Sequence, residues 1–200
     1  MNLHHIFPTT VGITHLGRNF TKNEIEIFEN LKMGPNEGNS TSLNRNVLEL
    51  PKFKNLKKFI TKSVNDYFQS VYCPQEKIEL YVTQSWTNNT LRGQYHHKHA
   101  HPNSFISGVL YLNADSEYDK IFFHKDKYAQ LDVSVKEWNL SNSESWWFEV
   151  ATGKLIMFPS SLTHSVSSVE TERTRVSLAF NTFFRGTFGN KFNLTELILK

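Results

Sequence analysis

Lys77–Asn113 reads KIELYVTQSWTNNTLRGQYHHKHAHPNSFISGVLYLN, and the fold is decided by its texture. Residues 77–86 and 104–113 are rich in β-branched and aromatic side chains, which suit a pleated, half-buried surface. Asn, Gly and Pro clusters punctuate them. The same texture returns in Lys120–His124 (KIFFH), Lys154–Pro159 (KLIMFP), His164–Val169 (HSVSSV) and Thr174–Phe184 (TRVSLAFNTFF). Short strands at this spacing predict an antiparallel sandwich or barrel. Residues 129–145 fit no element and read as an insertion on a strand connection.

Upstream of Pro74 the pattern is helical. Thr21 followed by Glu24 is a capping box, and Ile25, Phe28 and Leu31 share a face after it. A longer helix is predicted over 54–71, with Leu56, Ile60, Val64, Tyr67, Phe68 and Val71 on one side. Ile6–Leu16 leans towards β structure, Met33–Asn46 reads as loop, and Asn193–Lys200 as a short terminal helix. Two hundred residues fit one domain. Its parts are a strand and supporting helices (1–75), a β core (76–185) and a tail (186–200).

Composition narrows the function. With 38% hydrophobic and 20% charged residues the chain is neither disordered nor fibrous. No apolar run suggests a membrane span, and His4, His5, Pro8 and Gly12 interrupt the stretch where a signal peptide needs an apolar core. A single cysteine, Cys73, excludes an internal disulfide and points to the reducing cytoplasm. A net charge of +3 is too little to argue for a nucleic-acid partner. What stands out is nine histidines, four of them within residues 96–101.

In an extended strand side chains alternate, so His97, His99 and His101 share one side, with His96 and Lys98 on the other. Imidazoles at i and i+2, rooted about 6–7 Å apart, can lean onto one ion at roughly 2.0–2.1 Å. His164, which follows the strand ending in Pro159, is the natural third ligand. His4, His5, His15 and His124 lack such context. Eleven residues after His164 comes Arg175, opening a strand with Arg175, Ser177, Ala179 and Asn181 on one face. Val176, Leu178 and Phe180 on the other are expected to bury between the sheets. Arg175 and Ser177 together offer three donors to a carboxylate. Arg173 lies nearer the loop and is the weaker candidate.

At this point the chain resembles the 2-oxoglutarate- and Fe(II)-dependent oxygenases, within them the prolyl-hydroxylase-like group and its small bacterial and phage members. The resemblance spans roughly residues 77–184. It rests on Gly93-Gln94-Tyr95 leading into His99-Ala100-His101-Pro102, on Ser107–Asn113 (SGVLYLN), on Gly153–Pro159 (GKLIMFP), on His164, and on Arg175-Val176-Ser177. It implies a mainly β fold with N-terminal helices, a double-stranded β-helix or cupin-like jelly roll with one end open to the metal. It also implies His99, His101 and His164 as the Fe(II) ligands and catalytic set. Arg175, Ser177 and Tyr111 would hold 2-oxoglutarate as cosubstrate. The family's usual pattern has a carboxylate where this chain has His101, which raises the charge of the site by one. The nearest downstream carboxylate is Asp115, at the far end of the next strand.

The implied activity is a dioxygenase that hydroxylates a second, unknown substrate and releases succinate and CO2. Trp86, Tyr81 and Tyr95 are candidates for the mouth of the site. Three further readings stay open: a three-histidine zinc site with an activated water, a cupin-like dioxygenase without 2-oxoglutarate, and a noncatalytic jelly roll used for binding. The metal (Fe, Mn or Zn), the primary substrate and a homodimer are left open by the sequence.

Overall fold

A computed structural model describes residues 1–2, 4–126 and 133–200. The chain begins with β1 (Gly12–His15), α1 (Lys22–Asn30), β2 (Met33–Asn36) and β3 (Asn39–Ser42). Two single-turn 3-10 helices lead into α2 (Lys54–Tyr72), β4 (Glu79–Thr90), β5 (His96–His99) and β6 (Ile106–Asn113). Then come β7 (Lys120–His124), β8 (Ser145–Glu149), β9 (Lys154–Pro159), β10 (His164–Val166), β11 (Arg175–Phe188) and β12 (Leu197–Leu199).

A large antiparallel sheet runs β1-β9-β6-β11-β4-β3-β2, with β12 added to β11, and a small one runs β5-β10-β7-β8. The sheets face each other across Tyr111, Ile156 and Phe158 on one side and Ile121 and Phe123 on the other. The outer face of the large sheet is sealed by the helices. Leu56, Ile60, Val64 and Phe68 of α2 pack with Leu110, Leu155, Met157, Leu178 and Phe180. Each such side chain stabilises the fold by roughly 1.5–3 kcal/mol on burial. This is the double-stranded β-helix with supporting helices.

One expectation is inverted. Leu178 and Phe180 bury under the helices, not between the sheets. The helices claim the apolar face of β11, so its small and polar face, with Arg175, Ser177 and Ala179, turns into the roll. Gly108 on β6 sits opposite Phe180, and a Cβ there would come within 2.4 Å of the ring.

Other differences concern elements. The capping box forms as expected, with Thr21 accepting from the Glu24 amide and Glu24 from the Thr21 amide. Glu24 and Phe28 are the buried residues of α1, while Ile25 is exposed, because the Arg18–Glu24 ion pair turns that side inward. Val71 is likewise largely exposed at the end of α2, which stops at Cys73 in the left-handed conformation. Residues 33–46 contain the hairpin β2–β3, turning at Gly38 (φ +80°), where a left-handed backbone favours glycine. The 193–200 segment is not helical: β12 pairs back onto β11, and β11 itself crosses the expected boundary at 186. Of the expected insertion, residues 129–132 lie outside the described residues. β8, just beyond, is an unanticipated edge strand on β7.

Candidate active site

Between the two sheets a narrow cleft of about 40 Å3 gathers His99, His101, His164, Tyr111, Arg175 and Ser177. These are the six positions singled out in the sequence. Trp86 lines it too. Tyr81 instead packs under Arg185, and Tyr95 is exposed. Arg173 is held outside by Asn113, and His15 and His124 bond to Thr152 and Ser165 away from the cleft.

His99 and His164 are direct partners across β5 and β10, and one nitrogen each of His99, His101 and His164 lies within 4.8 Å of the others. His101 follows β5 and is anchored by its main-chain N–H on the Ser160 carbonyl at 2.9 Å. The hydrogen bonds assign the tautomers. His99 Nδ1 meets the His97 carbonyl at 2.8 Å, and His164 Nδ1 meets the Leu162 carbonyl at 3.0 Å. A carbonyl only accepts, so both rings carry their proton on Nδ1 and leave the Nε2 lone pair free for a metal. Burial keeps all three neutral. It pushes His164 down to about 2 and His101 to about 4, each assisted by the neighbouring His99, which is itself lowered by burial.

The strict alternation expected around residue 97 fails at a bulge. His99 pairs with His164 but His96 pairs with Val166, so β5 carries one more residue than β10. The extra residue turns His96 into the cleft, its ring stacked 4.7 Å from that of His99. His96, His97 and His99 thereby form a second grouping with metal-compatible spacing. The hydrogen bonds disfavour it. Asn39 Nδ2 donates to the Tyr95 carbonyl, which fixes that atom as the amide nitrogen, and the same nitrogen lies 3.1 Å from His96 Nδ1. His96 Nδ1 is therefore an acceptor, and the ring proton sits on Nε2. Burial, with the adjacent His99, lowers His96 to about 3. It is a neutral N–H donor in the cleft, a residue the alternation rule assigned to the wrong face.

At the other end of the cleft, Arg175 is 3% exposed. Its Nη1 donates to Asp119 Oδ1 at 2.8 Å, in an ion pair buried on both sides. Asp119 is the carboxylate that sequence reasoning missed: attention to strands stopped at Asp115, while the turn before β7 carries Asp119 back beneath Arg175. Its carboxylate is fixed there, since Asp119 Oδ2 accepts from the Asp115 amide, and its main-chain N–H donates to the Asp115 carbonyl at 2.8 Å. Arg175 Nη2 has no partner, and neither has the buried Tyr111 hydroxyl. Leaving a buried donor unpaired costs about 1–3 kcal/mol. Ser177 lies directly opposite Tyr111 across β11 and β6. Burial raises the Tyr111 hydroxyl above its usual range, so it too stays a proton donor. Orphaned donors on neighbouring strands, with Arg175 fixed by Asp119, form a cradle suited to carboxylate oxygens.

Comparison with known proteins gives this geometry its place. A family described as "Putative 2OG-Fe(II) oxygenase" matches residues 84–181, the segment holding every cleft residue named above. Over that segment the β core of this chain is similar to the 2OG-Fe(II) oxygenases. No curated protein matches the sequence. Among solved structures the chain is similar in fold to a 2OG-Fe(II) oxygenase family oxidoreductase from Burkholderia pseudomallei. That pair has 16% identity and a TM-score of 0.58, covering 86% of this chain and 84% of the other. HygX from Streptomyces hygroscopicus, crystallised with nickel, 2-oxoglutarate and hygromycin B, gives 14% identity and 0.59, over 87% and 82%. A prolyl-4-hydroxylase from Pseudomonas putida gives 13% and 0.59, over 89% and 94%.

Proposed function

We propose that the protein is a 2-oxoglutarate- and Fe(II)-dependent dioxygenase in which His99, His101 and His164 hold the metal and Arg175, Tyr111 and Ser177 hold the cosubstrate. The observation that carries this reading is the pair of orphaned buried donors, Arg175 Nη2 and the Tyr111 hydroxyl, in the same cleft as the three imidazoles. A hydrolytic zinc site would account for the imidazoles and leave this cradle unexplained.

The donor set fits the metal. Three neutral imidazoles suit iron as well as zinc, and three ligands leave open positions for a chelating keto acid and dioxygen. Bound iron and 2-oxoglutarate supply oxidising power: dioxygen is consumed, the keto acid leaves as succinate and CO2, and one oxygen atom enters a C–H bond of the substrate. The chain's own part is positioning. Asp119 neutralises Arg175 on one side and fixes it in plane, so that Nη2 is held out for the far carboxylate without having to be ordered on binding. Tyr111 and Ser177 offer hydroxyls from adjacent strands, and the His96 N–H supplies a further donor near the metal end. Volume is the constraint. At about 40 Å3 the cleft has room for roughly three waters, so the diacid enters with side chains moving apart.

Among the described residues no helix is long and apolar enough to cross a membrane. A cytoplasmic location accords with the single unpaired Cys73.

The test is anaerobic. Fe(II) plus 2-oxoglutarate should give a weak visible charge-transfer band, and admitting air should release succinate. Arg175→Lys should weaken the band by raising the cosubstrate concentration required. A protein that binds Zn(II) tightly but shows neither band nor succinate would overturn the proposal.

A further inference from the structure

A larger cavity, about 630 Å3, adjoins the cleft and shares Trp86 and His101 with it as walls. Along β11 it lies away from Arg175, which opens the strand: Asn181, near the middle, lines it, six residues further on the same face and roughly 20 Å away at strand spacing. A molecule there would sit beside the three imidazoles without competing for the carboxylate cradle.

The cavity is built, not incidental. The β4–β11 pairing shifts between Asn181–Gln84 and Thr182–Val82, which leaves Thr83 as a bulge residue. In a regular strand Thr83 and Gln84 would point to opposite faces; here both line the cavity. The Asn181 amide is oriented by a chain of buried hydroxyls. Ser107 donates to Asn181 Oδ1 at 2.8 Å, and Ser160, whose hydroxyl lies 2.8 Å from that of Ser107, supplies the proton between the two. With Oδ1 taken inward, the amide N–H groups are left for the cavity. Arg45 is likewise placed. Its carbonyl accepts from the Ser85 amide at 2.8 Å, clamping its backbone to β4, and its Nη1 donates to Thr41 at 2.9 Å. Among the described residues no carboxylate pairs with it.

We infer that this cavity is the primary-substrate subsite and takes a polyhydroxylated small molecule bearing one oxyanion, a carboxylate or a phosphate. The assignment rests on the reading of the adjoining cleft as the iron and 2-oxoglutarate site. Its chemistry follows from the lining. The amides of Gln84 and Asn181 and the Thr83 hydroxyl lose water on occupancy, and an apolar guest would return nothing for about 1–3 kcal/mol each. A cation would be opposed by Arg45, whereas an oxyanion gains charge-assisted hydrogen bonds there. The Trp86 indole offers a broad face to the C–H side of a sugar-like ring.

The protein loaded anaerobically with Fe(II) and 2-oxoglutarate is titrated with gluconate, glucose 6-phosphate, glucosamine and cyclohexylmethanol. The perturbation of the visible band and the heat of binding are both followed. One of the two oxyanions is expected to bind at least about ten-fold more tightly than glucosamine or cyclohexylmethanol. The better of the two identifies the acid group. Arg45→Ala and Gln84→Glu should each erase most of that preference, by about ten-fold for one lost charge-assisted contact, with the band before probe addition unchanged. Equal binding of all four probes, or an Arg45→Ala variant as selective as the parent, overturns the inference. If the loaded protein shows no band, the reading of the cleft has failed instead. Calorimetry of the metal-free protein then decides the cavity alone: oxyanion binding lost in Arg45→Ala retains it, and no preference removes it.

Discussion

His99 and His164 each bond through Nδ1 to the carbonyl two residues earlier, and this local pattern presents both Nε2 atoms to one point. Metal content should report it directly. His99→Ala and His164→Ala are each expected to lower bound Fe(II) or Mn(II) from about one equivalent to under about a tenth, because either change removes one of the three proposed ligands. His96→Ala should retain the metal and raise the 2-oxoglutarate requirement a few-fold, by deleting one N–H donor. Metal analysis paired with cosubstrate titration separates the two behaviours. Loss of metal in His96→Ala, with retention in His164→Ala, would move the site to the second histidine grouping. Asp119→Ala makes a different demand. It strands a buried guanidinium, which typically costs 3–5 kcal/mol, so a large fall in Tm is expected even without metal. The histidine spacing, Arg175 and Ser177 were legible because alternation along an extended strand can be counted, and Tyr111 because the family resemblance places a tyrosine at that position. Asp119 and His96 were not. One is placed by a turn, the other by a bulge, and neither leaves a periodic trace.

At the scale of elements, apolar faces were legible where a helix or strand meets a broad partner. α2 and the capping box of α1 follow directly from spacing, since 3.6-residue periodicity and the Thr21–Glu24 pair are local signals. The hairpin β2–β3 was hidden because Gly, Asn, Ser and Pro weaken a strand that tertiary pairing with β4 then enforces. β12 was hidden for a related reason, being three residues whose conformation depends on β11. The sidedness of β11 was also beyond alternation alone, which separates two faces without saying which meets the helices. Gly108→Ala tests that packing. The added methyl would press on Phe180 under the helices, and overpacking of this kind costs about 1–3 kcal/mol. A fall in Tm of roughly 2–4 °C per kcal/mol is the expected readout, and Phe180→Leu in the same chain should restore part of it.

For the molecule as a whole, the buried imidazoles tie stability to pH. His96, His101 and His164 are held near 3, 4 and 2, below the usual histidine value of 6.5. As pH falls below about 6.5 the unfolded chain takes up protons that the folded chain refuses, so the unfolded state gains. The contribution is fully present above about 6.5 and is lost progressively towards the folded values. The metal-free protein should therefore melt several degrees lower at pH 5 than at pH 7, with the slope reduced in His96→Asn. A Tm that is flat over that interval would mean these rings are not neutral and enclosed as described. Saturating metal should raise Tm at neutral pH, by an amount corresponding to about 2.7 kcal/mol at a hundred times Kd.

β11 is hydrogen-bonded on both flanks, to β4 and β6, and carries Arg175 near one end and Asn181 towards the middle. A slip of one position along that strand would rotate both residues out of the roll together, so insertions or deletions within it should be intolerable. The rim is attached differently: Arg45 follows an edge hairpin, and Asn103 occupies an exposed turn with a left-handed backbone. Variation at these margins can retune what the cavity accepts while the cleft residues stay in register. Divergence among relatives should therefore concentrate at the rim and spare the central strand.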